Sequence, residues 1–143
     1  RLEKKIALGA TFAMTQPPAD VAMVDELRAK TRACGVELFV GLIPLVSSRN
    51  AEFLHNEVPG IRISDADLRR MKSARRPIKE GLAIAKEYVD AILEAGFRGI
   101  YIIPMLRKYR MAHELVDYIR SREESLPSTR KDGPVAALPV DGH

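Results

Sequence analysis

The chain has 143 residues, 46% hydrophobic and 29% charged, with 9 Gly and 9 Pro, the make-up of one ordinary globular domain. Its net charge of +4 comes from bases interleaved with acids, as in KEGLAIAKEYVDAILEAG, which speaks against the one-sided basic stripe of a nucleic-acid surface. No apolar run approaches the roughly 20 residues that span a bilayer, and the apolar run in RLEKKIALGA is too short for a secretory signal, so a cytoplasmic protein without membrane contact is expected.

The first residue is Arg1 rather than Met, and Leu2, Ile6 and Leu8 have helix-like spacing before Gly9. The expectation is a chain that starts inside an element, as a fragment or a processed form does. An apolar strand follows in LGATFAMTQP. The spacing of Val21, Val24, Leu27 and Thr31 then predicts a helix from about Val21 to Cys34. Cys34 is the single cysteine, with no partner for a disulfide or a Cys/His metal site.

The second strand reads CGVELFVGLIP. After it, SSRNAEFLHNEVPGIRISDADLRRMKSARRP predicts two short helices with a turn at Pro59 and Gly60. Ser64 can cap the amide of Asp67 or Ala66, and Asp65 and Asp67 suit the positive end of that helix. A long helix carries Leu82, Ala85, Val89, Ile92 and Leu93 at helical spacing, and AGFRGIYIIP is the third strand. In the last helix Met111, Leu115 and Ile119 recur every four residues, with Ala112 and Val116 widening the face. From about Ser125 the sequence is rich in Pro, Ser, Gly and charge, the composition of a mobile tail.

One phrase therefore recurs three times: helix, a glycine suited to close it, an apolar strand, and proline. Strands apolar on both sides and separated by helices predict an α/β fold with a parallel sheet covered by helices. Three units are too few to close a barrel. In such folds ligands bind where the strands end, which places Gln16, Ile43-Pro44 and Ile103-Pro104 at the binding edge. A glutamine amide offers one acceptor and two donors on a flat group, suited to a heterocycle edge. Its alternative task is to cap a loop amide.

The other candidates have structural readings. His55, His113 and His143 have no metal-like spacing to one another or to Cys34. His55 is read as a structural hydrogen-bonding residue with a substrate contact as the alternative, and His113 as surface. Ser47 and Ser48 sit where a helix begins and read as caps rather than nucleophiles. MKSARRP reads as solvated charge, with a phosphate, a polyglutamate tail or an acidic partner domain as the alternatives. No GxGxxG or Walker loop is present.

The run KKIALGATFAMTQP, followed by Asp20, resembles the segment around the sixth strand of methylenetetrahydrofolate reductases. GLIPLVSSRNAEFLHNEVPGIRIS resembles, at greater length, the seventh-strand region of the reductase module fused to homocysteine S-methyltransferase. EGLAIAKEYVDAILEAGFRGIYIIP is similar to the last helix and eighth strand of that module. The resemblance covers about residues 1 to 120.

It implies a (β/α)8 barrel of which residues 1–122 supply about strands six to eight with their helices, residues 123–143 being a flexible tail. It further implies FAD-dependent reduction of 5,10-methylenetetrahydrofolate to 5-methyltetrahydrofolate, with NADH or NADPH as possible electron donor. A fused or associated homocysteine S-methyltransferase domain and a homo-oligomer are the implied partners. By the same resemblance Gln16 binds the pterin and Lys5 lies near the phosphate and ribose of the flavin. Asn50, Leu54 and Lys108 fall on folate-side positions. The chain departs from the family at Pro17, Pro18 and Ala19, where an aromatic residue is usual, and at Lys108, which replaces a forked arginine. The family's catalytic acid and most flavin contacts belong to strands that precede this segment, so no catalytic residue is assigned. The alternative expectation is a non-catalytic half-barrel that docks on another chain.

Overall fold

A computed structural model describes residues 2–105 and 108–126. The elements run α1 (Leu2–Ala7), β1 (Phe12–Met14), α2 (Ala22–Thr31), β2 (Glu37–Leu42), α3 (Ser48–Glu57), α4 (Asp65–Ser73), α5 (Pro77–Glu94), β3 (Gly99–Ile102) and α6 (Tyr109–Ser125). The three strands form one parallel sheet in the order β1-β2-β3. Phe12 pairs with Glu37 and Phe39 with Gly99. The fold is thus mixed α/β with a small parallel sheet, as the repeated phrase requires.

The glycine of the third phrase illustrates why helix gives way to strand. Gly96 has φ 82°, a left-handed conformation open to glycine at little cost. There the chain reverses, with Gly96 N donating to Leu93 O at 3.0 Å and Phe97 N to Ile92 O at 3.2 Å. These are orphan carbonyls of the α5 end satisfied by the turn. Phe97, just beyond, is 2% exposed.

Residue alternation along the strands separates two faces. Leu38, Val40 and Leu42 are buried, and they pack with Ala13, Ile100 and Ile102 into two apolar clusters. α5 supplies most of the cover through Ile84, Ala85, Tyr88, Val89, Ile92 and Leu93. It also comes close to the loop after β2: a side chain at Gly81 would collide with the Leu45 carbonyl. The opposite face holds Phe12, Met14, Phe39 and Tyr101, none of which belongs to either cluster. Phe12 is 56% exposed and Met14 58%.

Three expectations move. The start of α2 is not one of them and stays where it is expected: Val21 already has helical angles (φ −62°, ψ −36°), and Asp20 Oδ1 accepts from Met23 N at 2.9 Å as the cap before it. The helix stops at Thr31 rather than Cys34, and Cys34 N donates to Thr31 O in a turn. In α6 the apolar face is widened by Tyr118 rather than Val116, which is exposed. That helix runs past residue 122 to Ser125, and Leu126 packs against the larger cluster. The rest of the expected tail, residues 127–143, lies outside the described residues.

Candidate functional site

At the carboxyl end of β1 the chain turns through Thr15, Gln16, Pro17 and Pro18. Thr15 N still pairs with Phe39 O at 3.0 Å, so Gln16 is the first residue beyond the ladder. Prolines at 17 and 18 have no N–H to extend it. The Thr15 carbonyl accepts a hydrogen bond from Tyr101 Oη at 2.6 Å. To arrive there from β3, the Tyr101 ring crosses β2 above Gly41, where an added Cβ would lie 2.8 Å from the phenol oxygen. Gly41 is thus the opening through which β3 fixes the end of β1.

A second tether holds the following loop. Tyr88 Oη, on α5, lies 3.1 Å from Ala19 O and 3.0 Å from Asp67 Oδ2. The hydroxyl has one proton and two acceptors within reach. Burial, and then the neighbouring Asp67 carboxylate, raise the Tyr88 phenol well above the ordinary tyrosine value, so it stays a donor through the neutral range. Asp67 is 7% exposed and lies 3.8 Å from Arg70 Nη1. That guanidinium pairs more closely with Glu87 at 2.7 and 2.8 Å and with Glu80 at 2.7 Å. The network joins the β1 loop to the start of α4 and the middle of α5.

These tethers surround a cavity of about 30 Å³ lined by Pro17, Pro18, Ile43, Ile61, Asp67 and Tyr88, among others. It has room for one or two waters and none for an aromatic ring. Gln16 is exposed at this edge. Its carboxamide has no hydrogen-bond partner among the described residues, so it does not cap a loop amide. Its neighbour is the Gly60 backbone: a Cβ at Gly60 would stand 3.7 Å from Gln16 Nε2. Of the other strand ends, Pro44 is fully buried and Pro104 exposed.

The remaining site candidates do not gather round Gln16. Ala10 N donates to Lys5 O at 3.0 Å, so the Lys5 backbone stands where β1 begins. Gln16 lies beyond the opposite end of β1, past Met14. Asn50 Oδ1 accepts from Val46 N at 3.2 Å while Asn50 N donates to Ser47 Oγ at 3.0 Å, a reciprocal helix-start pair. That capping uses one lone pair of Asn50 Oδ1 and leaves the second, with the amide donors, for another partner. Leu54 is 4% exposed inside the larger cluster, because Ala51 and Leu54 form the inward stripe of α3. The exposed aromatic there is Phe53, one position earlier. Lys108 is exposed at the start of α6, beside a separate groove.

His55 Nδ1 lies 3.0 Å from Ile63 O and 3.2 Å from Ile63 N, holding the turn at Pro59 and Gly60 closed. His113 pairs with Asp117 on the surface, and His143 lies outside the described residues. Ser47 and Ser64 act as helix caps. Among the described residues no group of three or more His, Cys, Asp or Glu could hold a metal ion, and no helix is long and apolar enough to cross a membrane.

Sequence reading missed Tyr88, Asp67 and Tyr101. The one available signal was a phenol placed beside Val89, within an apolar stripe of α5, which needs a buried partner. Compared with known proteins, the chain matches no family model and no curated protein.

Proposed function

We propose that the chain forms the substrate side of a (β/α)8-barrel enzyme of the methylenetetrahydrofolate reductase type, which reduces 5,10-methylenetetrahydrofolate to 5-methyltetrahydrofolate with FAD. The carrying observation is Gln16. Its carboxamide stands exposed and unpartnered just past the end of a parallel strand, within a run whose residues resemble the family's pterin-binding segment. Adjacent donor and acceptor atoms on a pterin edge match such an amide. The apolar face of Phe12, Met14 and Phe39 supports the barrel part of the reading. Further βα units, in this or another polypeptide, would cover it.

The described residues do not fit FAD by themselves. The cavity beside Gln16 is of water size, and Lys5 stands at the other end of β1. In this reading Gln16 orients the pterin and the loops at Pro44 and Pro104 shape its surroundings, Pro44 from within the core and Pro104 from the surface, a positioning role. NADH or NADPH as electron source and an accompanying homocysteine S-methyltransferase domain rest on the same resemblance.

The test uses the protein purified in its native form. Its visible spectrum is recorded, and 5-methyltetrahydrofolate is added without oxygen. Bleaching of an oxidised flavin is the expected result. A protein that stays colourless after FAD is supplied would overturn the enzyme reading in favour of a non-catalytic half-barrel.

A further inference from the structure

Gln16 stands between two carbonyls, each reached by a tyrosine hydroxyl from a distant element. Tyr101 Oη of β3 donates to Thr15 O at 2.6 Å, on the residue before it, and Tyr88 Oη of α5 lies 3.1 Å from Ala19 O, three residues after it. Between those carbonyls the chain reads Gln-Pro-Pro. A proline ring locks its own φ and confines the preceding residue to extended conformations. Gln16 and Pro17 both precede a proline, so few torsions in the interval are free. A displacement at Ala19 is therefore passed back to Gln16 instead of being absorbed on the way.

The Gln16 carboxamide has no hydrogen bond of its own among the described residues. Its direction is set by its backbone and by the Gly60 backbone beside it, in a turn that His55 holds closed. Tyr88, by contrast, is anchored. Its ring belongs to the larger apolar cluster, and its oxygen also lies 3.0 Å from Oδ2 of the buried Asp67. A phenylalanine at this position keeps the ring in the core and removes only the tether.

We propose that Tyr88 is a positioning residue for Gln16: by holding Ala19 it fixes, through the stiff Pro17-Pro18 strut, the backbone from which the carboxamide projects toward its ligand. The identity of that ligand rests on the folate reading, whereas the tether rests on geometry alone. The Pro17-Pro18-Ala19 stretch, where the chain departs from the family, is in this account the strut itself.

Two measurements on the native protein separate the tether from the ligand. In the first, the side-chain amide resonances of Gln16, assigned by their loss in Gln16→Ala, are compared among variants. Tyr88→Phe should shift or broaden them. Pro18→Gly, which leaves the Tyr88 ring in place and softens the strut, should disturb them too. Tyr118→Phe removes a phenol bonded to Asp90 on another part of α5 and should leave them unchanged. Gln16 signals that stay the same in Tyr88→Phe or in Pro18→Gly, or that move as much in Tyr118→Phe, overturn the tether. In the second, flavin bleaching by 5-methyltetrahydrofolate is followed as a function of its concentration. Tyr88→Phe should weaken apparent affinity about threefold or more and cause no further loss in a Gln16→Ala background. An equal loss in both backgrounds means that Tyr88 acts through general stability and overturns the proposal. Absence of bleaching in the unaltered protein overturns the folate reading, and the resonances then decide the tether by themselves.

Discussion

Tyr101 on β3 donates a 2.6 Å hydrogen bond to the carbonyl of Thr15, the residue before Gln16, by lying over Gly41 of the intervening strand. The orientation of the candidate pterin-binding residue is thereby referred to a strand that the chain adds last. Gly41→Ala should push this ring aside and destabilise the chain by about 1–3 kcal/mol, the usual cost of overpacking. Tyr101→Phe should cost about 1 kcal/mol. In the double variant the two losses should not add, because both break one contact. Denaturant midpoints of the four proteins check this, and full additivity would refute the coupling.

Tyr88 gives a pH signature. Its phenol is raised in the folded chain by burial and Asp67, above an unfolded value of about 10. A raised folded value contributes stability that is complete below the unfolded value and is lost as pH rises through the folded one. Stability should therefore fall as pH climbs above about 10, and Tyr88→Phe should lose less over that range. Near pH 7 the same variant should be weaker by about 1–3 kcal/mol, since Asp67 and the Ala19 carbonyl lose a donor. Thermal unfolding between pH 7 and 11 tests both signs.

Gln16→Ala separates function from folding. An exposed side chain without a partner should be removable within about 0.5 kcal/mol of stability. If the residue binds a pterin, flavin reduction by 5-methyltetrahydrofolate in the native protein should slow about tenfold or more. An unchanged rate would remove Gln16 from the site while leaving the fold assignment intact.

The open sheet face should be detectable in the chain by itself. Phe12 and Phe39 meet edge to face at 5.9 Å between centroids, yet Phe12 and Met14 remain mostly exposed. Such a surface should bind a fluorescent apolar dye such as ANS. A Phe12→Lys, Met14→Lys variant should lose that binding at a stability cost of no more than about 1.5 kcal/mol, the value of an aromatic pair. Dye binding that survives the double change would locate the apolar surface elsewhere.

The parts of this molecule written in short sequence intervals were legible. Gly96 followed by a strand, Ser47 three residues before Asn50 and Ser64 three before Asp67 are local devices, and each can be read from a few neighbouring residues. The contacts that shape the candidate site are not local. Tyr88 meets Ala19 across 69 positions, and Tyr101 meets Thr15 across 86; no periodicity encodes either. Leu54 shows the reverse difficulty. A resemblance placed it against a ligand, while its spacing from Ala51 turns it into the core.

The parallel sheet also sets an order of assembly. β1 pairs with β2 across 25 positions, Phe12 with Glu37, whereas β2 pairs with β3 across 60, Phe39 with Gly99. Every doubling of the closed loop adds about 0.6 kcal/mol of chain entropy, and pairings so distant in sequence form slowly. The interval between β2 and β3 contains α3, α4 and α5, whose mutual packing shortens the effective loop before β3 arrives. β3 is therefore expected to pair last, with the Tyr101 hydroxyl closing on Thr15 once β1 and β2 are in register.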